Sequence, residues 1–215
     1  MLARPIFALL VVSSVAAAPI SAQVLGLPVV NNGAPTGLNV GADVGFANDA
    51  YAGGGGTAFG GHAAIGVGFI GAGAQVATYS PSVGSSVTSE ALNATLRLVG
   101  GPLVPFRITL QAGSGWWSID NTNYMHVPVS IGFAATIPNP AFAIKPWIAP
   151  RLDLTHMSGT SIEGGSVSSN DTHFGISGGV DFALLNGLAL RVAYDRLSAG
   201  DAKPAVLSLG VGFSH

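Results

Sequence analysis

The stretch LNVGADVGFAND, residues 38–49, places Leu38, Val40, Ala42, Val44 and Phe46 on one parity and Asn39, Gly41, Asp43 and Gly45 on the other. Alternation with period two is the mark of a β-strand with one apolar face, because successive side chains of a strand point to opposite sides. A helix with one buried face would instead repeat its apolar residues every three to four positions. The same alternation sorts LNATLRLV (92–99), FRITLQAGSGWW (106–117), IKPWIAPRLDLTH (144–156), HFGISGGVDFALL (173–185), LALRVAYDR (188–196) and AVLSLGVGF (205–213). From Leu38 to its end the chain reads as all-β.

What the apolar face meets is decided by where the charges fall. Asp43, Arg97, Arg107, Lys145, Arg151, Asp153, Asp181, Arg191 and Asp195 all lie on the opposite parity. A soluble sandwich has the same period, so alternation alone leaves both a protein core and lipid open. The rest of the polar parity favours lipid. A water-facing surface would carry Lys, Glu and Thr, whereas this face is mostly Gly, Ala and Ser with a few charges of both signs. Small residues and opposite charges suit a narrow lumen. The expected fold is a transmembrane antiparallel up-and-down β-barrel with lipid outside and a packed polar interior.

Composition agrees with an exported membrane chain. Only 8% of residues are charged, against roughly 25% in soluble domains, and the mean hydropathy is +0.52 with 31 glycines. Lys145 and Lys203 are the only lysines and the net charge is −2, which leaves no basic surface for nucleic acid. The absence of cysteine excludes a disulfide framework and thiolate metal sites. Residues 1–22 carry Arg4, an apolar run from Ile6 to Val12 that extends to Ala18, then Pro19 and Ala22, and read as a secretory signal peptide cut after Ala22. A spanning helix needs ~20 apolar residues, more than this run offers before Pro19. Residues 23–37, QVLGLPVVNNGAPTG, are expected to form an extended periplasmic leader. Residues 38–215 form the barrel.

Strands are expected over 38–48, 57–69, 71–80, 88–99, 105–117, 124–136, 142–157, 172–184, 188–197 and 204–214. That gives ten, with eight as the alternative because the bend near Ile70 is crowded. Short turns then alternate with longer loops, as outer-membrane barrels require. The longest, SGTSIEGGSVSSND (158–171), faces outward and Asn186-Gly187 makes an inner hairpin turn. The same frame accounts for AAIGVGFIGAGAQVA (63–77), whose G-x-G-x-x-G at Gly66, Gly68 and Gly71, with Glu90 downstream, imitates a dinucleotide loop. Such a loop must open a helix, and Pro81 and Gly84 leave no room for one. Gly66 and Gly68 are expected at lumen positions and Gly71 at the bend.

With its signal peptide, alternating strands and closing PAVLSLGVGFSH, the chain resembles the outer-membrane β-barrel domain family of OmpA-like small barrels over residues 38–215. The resemblance implies an integral protein of the bacterial outer membrane, in contact with outer-membrane lipid and lipopolysaccharide. It also implies an assembly signal, Leu209, Val211 and Phe213, read by the barrel assembly machinery. Family members commonly end on the aromatic, whereas Phe213 is followed by Ser214 and His215. Structural anchors, adhesins, narrow pores and a few enzymes share this family.

Three groups of residues are candidates for function. The inward set is Asp43, His62, Arg97, Arg107, Lys145, Arg151, Asp153, His173, Asp181, Arg191 and Asp195. It reads either as a paired network that fills a small lumen, which is preferred, or as a charged constriction in a narrow pore. Tyr79, Trp116, Trp117, Tyr124, Phe174 and Tyr194 lie toward strand ends and are expected at the membrane interface. Trp147 is expected inside, and Arg196 outside beside lipopolysaccharide phosphates. In THMSG, His156 and Ser158 resemble the His-x-Ser of lipid A deacylase barrels, but Gly159 replaces their Asn and the acid, Glu163, is nearer. The favoured reading is a rim histidine and a loop serine, with no catalytic residue, no cofactor and no metal. The expected function is a structural anchor with surface loops and a largely side-chain-filled lumen, with a narrow passive pore for ions or small solutes as the alternative and a lipid A-modifying esterase or an exported soluble β-barrel binder behind it. A closed barrel has no edge to demand a partner, so a monomer is expected.

Overall fold

The computed structural model describes residues 24–101, 104–119, 122–160, 166–184, 186–199 and 203–215; the expected signal peptide lies outside them. The strands are β1 (Gly37–Ala47), β2 (Gly56–Val67), β3 (Ile70–Pro81), β4 (Val87–Val99), β5 (Phe106–Ile119), β6 (Thr122–Ala135), β7 (Ile137–Pro138), β8 (Phe142–Thr160), β9 (Ser166–Leu184), β10 (Leu188–Ser198) and β11 (Ala205–Ser214). Each long strand pairs antiparallel with its neighbour in sequence, β6 pairs with β8, and β1 closes on β11 through Asn39↔Ser214 to Ala47↔Val206. Two-residue β7 only extends the β6–β8 turn. The ten long strands therefore form a closed up-and-down barrel, which is the only β-architecture that leaves no unpaired edge in lipid.

Apolar side chains cover the outside. Val40, Phe59, Val76, Leu92, Leu110, Ile131, Leu152, Ile176, Val192 and Leu209, one from each long strand, are all exposed on the barrel wall. Leu207, Val211 and Phe213 join Leu209 on that face of β11. In water this belt would be unstable; in lipid it is the required solvent match. The chain enters β1 at Gly37 and ends at His215 on one rim, where their backbones are tied by Leu38 and His215. The β2–β3 and β9–β10 turns share that rim, the one expected to face the periplasm. Gly68, at φ +63°, makes the β2–β3 bend. The bend thus falls at Gly68 and Phe69 rather than at Gly71, which lies within β3 opposite Gly66. Neither glycine precedes a helix.

At the outer rim the β8–β9 hairpin is longer than expected, 19 residues in each strand. Residues 158–171, read as a loop, are largely ladder, with Ser158↔Ser168 and Thr155↔Asp171. Beyond the lipid both faces of a strand can be polar, so the pairing continues without the apolar parity that reveals a strand in sequence.

The leader is the main departure. Residues 24–36 are extended, but the structure puts them inside the barrel rather than in the periplasm. Val24, Leu25 and Leu27 pack on Ala58, Ala77, Tyr79, Val87 and Ala91 near the outer rim. Midway down, Asn31 donates to Ser130 Oγ at 2.9 Å. At the periplasmic end Pro35 lies against Gly66 and Gly71, and the chain reverses at Gly37, φ +68°. Bare backbone makes the track: a Cβ at Gly45 or Gly66 would collide with the carbonyls of Gly26 or Pro35, and one at Gly132 with that of Asn31. The leader's apolar residues are buried there without forming a regular element, so no periodicity announces them.

Because the chain has no native cysteine, a single Val29→Cys reports on this packing. It is expected to resist maleimide in the folded barrel, and to label at least about tenfold faster when Gly132→Leu is added to push Asn31 off its track. Equal rates would mean that the leader is not held in the lumen.

Candidate functional site

The lumen is the one place where this chain concentrates charge, because the apolar belt excludes it from the outer wall. Every member of the inward set lies on the lumen parity. Near mid-barrel Arg151 on β8 is 3% exposed and anchors a cluster that spans three strands. Its Nε donates to Asp153 Oδ2 at 2.7 Å and its Nη2 to Asp195 Oδ1 on β10 at 2.8 Å. His126 on β6 brings Nε2 to 3.0 Å from Asp153 Oδ1. The leader completes the group, since the Val29 amide donates to Asp195 Oδ2 at 2.9 Å. Asp153 is 0% exposed. A buried carboxylate persists in such a place only when paired and hydrogen-bonded.

Toward the periplasmic rim a second layer forms. Arg191 Nε donates to Asp181 Oδ1 at 2.8 Å, the Asn32 amide also donates to Asp181, and His62 Nδ1 sits 2.9 Å from Asp43 Oδ2. Lys145 is paired in register with Asp181 across β8–β9 without forming an ion pair. Arg107 and Arg97 have no carboxylate within 4.0 Å among the described residues; Arg97 reaches only Thr36 Oγ1, at 3.5 Å. His173 is opposite Asp153 in register, yet the imidazole that meets Asp153 is that of His126. His126 shares the lumen parity with Tyr124, Ser130 and Gly132, so the alternation of Val127, Val129, Ile131 and Phe133 already marks it as inward.

The leader and these layers divide the lumen into two cavities that share no lining residue. A space of about 320 Å³ on the periplasmic side is lined by Asn32, Pro35, Asp43, Arg107, Lys145 and Arg191 among others. A space of about 180 Å³ on the outer side is lined by Val24, Tyr51, Trp117, His126 and Leu197 among others. Tyr51, in the β1–β2 loop, accepts the Gly26 amide at 2.9 Å, and burial pushes its phenol up, so it stays neutral over this outer cavity.

Three of the six aromatics expected at the membrane interface are inside instead. Tyr79 is 1% exposed, donates to the Ala52 carbonyl at 2.8 Å and packs edge-on against Tyr51. Trp117 and Tyr124 stack at 5.7 Å on the lumen side of β5 and β6, with Trp117 packed against the apolar cluster around Val24. The leader supplies the apolar surface these rings need, which is why they turn inward. Trp116 falls on the outer parity, and Phe174 and Tyr194 are exposed on the outer wall. Trp147, 5% exposed, is inside, packed against Ala149 and Ala193.

His156 lies on the outer face of β8, where its Nδ1 pairs with Asn170 Oδ1 at 2.8 Å. Among the described residues no hydrogen bond joins it to Ser158, and Glu163 lies outside them. Nor does any group of three or more His, Asp or Glu residues form a metal cage among the described residues.

No protein-family model matches the chain, and no curated protein matches it. Solved structures match it in shape. The β domain of the Bordetella autotransporter BrkA aligns with 84% of this chain and all of its own, at 15% identity and TM-score 0.53. Neisserial surface protein A aligns over 84% of this chain and 98% of its own, at 15% identity and TM-score 0.40. The outer membrane enzyme PagL aligns over 82% and 99%, at 15% identity and TM-score 0.40. At such identities the likeness is one of fold, and a fold by itself assigns no chemistry.

Removing the guanidinium of Arg151 strands two buried carboxylates. Arg151→Leu is expected to destabilise the folded barrel by about 3–5 kcal/mol, read from the urea midpoint in micelles; a loss under about 1 kcal/mol would mean that water already solvates Asp153 and Asp195. A closed ten-stranded barrel with a continuous apolar belt and its charges turned inward has the architecture of an integral outer-membrane β-barrel.

Proposed function

We propose that this protein is a structural outer-membrane anchor whose lumen is closed by its own N-terminal segment. The observation that carries the reading is the course of residues 24–36 through the lumen, with the Val29 amide on Asp195 and Asn31 on Ser130. The two cavities on either side share no lining residue, which argues against a continuous water path. The outer wall rests in lipid and lipopolysaccharide, Arg196 at the outer end of β10 meets headgroup phosphates, and the closed edge favours a monomer. The β8–β9 hairpin is the largest surface offered to the outside. The pairing of His156 with Asn170 rather than Ser158 favours the anchor over an esterase.

The mature chain, refolded and checked by heat-dependent gel migration, is expected to be silent in a planar bilayer. Deleting residues 24–35 is expected to give steady openings, and Gly132→Leu, which disturbs the leader without shortening the chain, intermittent ones. Steady conductance by the intact chain would overturn the anchor in favour of a passive pore.

A further inference from the structure

The lumen charges do not cancel evenly along the barrel. In the mid-barrel layer Asp153 and Asp195 share Arg151, His126 and a leader amide. In the periplasmic layer Asp43 is held by His62 and Asp181 by Arg191 and Asn32. That leaves Arg97, Arg107 and Lys145 around the larger cavity with no ion-pair partner among the described residues. Arg107 and Lys145 line that cavity together with Asp181 and Asp43, whose carboxylates are already engaged by Arg191 and His62. Arg97 Nε is buried with no hydrogen-bond partner among the described residues. Side chains of like charge crowd together in a low-dielectric space at a cost unless an anion joins them.

The space beside them can take one. The cavity of about 320 Å³ has Arg107 and Lys145 in its wall, Arg97 just beyond Thr36 and Thr95, and the rim residues Asn39 and Ser214 at its periplasmic end. Guanidinium and ammonium groups converging on one volume provide charge-assisted donors for a tetrahedral or planar oxyanion. We propose that the periplasmic half of the lumen is a binding site for a small oxyanion of the phosphate or carboxylate class, held by Arg107 and Lys145 with Arg97 behind them. The mid-barrel layer seals its far side, so the site is a dead-end receptor open to the periplasm. The dead end rests on the closed lumen proposed above; the capture of an anion by Arg107 and Lys145 does not.

The test is a titration of inorganic phosphate into the full mature protein, with arginine ¹⁵N label, in zwitterionic micelles, following the guanidinium Nε resonances. Saturable shifts confined to Arg97, Arg107 and their neighbours are expected. Arg107→Gln and, separately, Lys145→Gln should each weaken binding about tenfold or more, while Lys203→Gln in the β10–β11 loop leaves it unchanged. Heat-dependent migration confirms that each variant is folded. Repeating the titration with phosphatidylglycerol in the micelle separates sources: competition identifies a lipid headgroup as the occupant, and its absence a free periplasmic anion. No saturation below about 10 mM, or binding that both substitutions leave intact, would overturn the site.

Discussion

Lipid offers no partner to a backbone amide, and the rest of this structure follows from that constraint. Each strand must find both its neighbours in the chain itself, so β1 has to meet β11 and the sheet has to close. Closure fixes two faces with opposite demands. The outer one takes Val, Leu, Ile and Phe, and every charge of the membrane-spanning strands except Glu90 and Arg196, both toward the outer rim, is pushed to the inner one. A ten-stranded barrel is wider than its own side chains can fill when so many of them are Gly, Ala and Ser. The interior is completed by the thirteen residues that precede β1, running from Val24 to Thr36.

The leader also has to be polar in the right places. Its amides and asparagines reach Asp195, Ser130 and Asp181, groups that would otherwise be buried with too few donors. Its valines and leucines meet Tyr79, Trp117 and Ala58, which would otherwise face an empty outer vestibule. The filler and the wall are therefore complementary along the whole axis. The exception is the periplasmic layer, where the leader offers Pro35 and Thr36 and nothing anionic to Arg107 or Arg97.

Much of this was legible in the residues. Period-two alternation located all ten long strands within a few positions, because lipid enforces parity more strictly than a protein core does. The inward placement of Asp43, Arg151, Asp153, Asp181, Arg191 and Asp195 followed from the same parity. What escaped has a physical reason in each case. The leader is irregular, so its burial leaves no periodic trace. Tyr79, Trp117 and Tyr124 were assigned to the interface because aromatics at strand ends usually meet headgroups, but their parity is the lumen's, and only the unseen leader makes an apolar lumen possible there. The β8–β9 extension is polar on both faces and resembles a loop in composition alone.

The glycine content carries a related lesson about what small residues mean in a barrel. Glycines on a lumen face leave room that water could fill, and the sequence holds 31 of them. In the structure Gly45, Gly66 and Gly132 do leave space, and Gly26, Pro35 and Asn31 occupy it. Free volume was read correctly while its occupant was not, because the occupant lies far away in sequence. Val29 and Asp195 are separated by 166 residues, and that bond can form only after β10 has joined the sheet. Seating the leader and placing β9 and β10 are thus coupled, because without the leader Asp195 and Asp181 would each lose a donor.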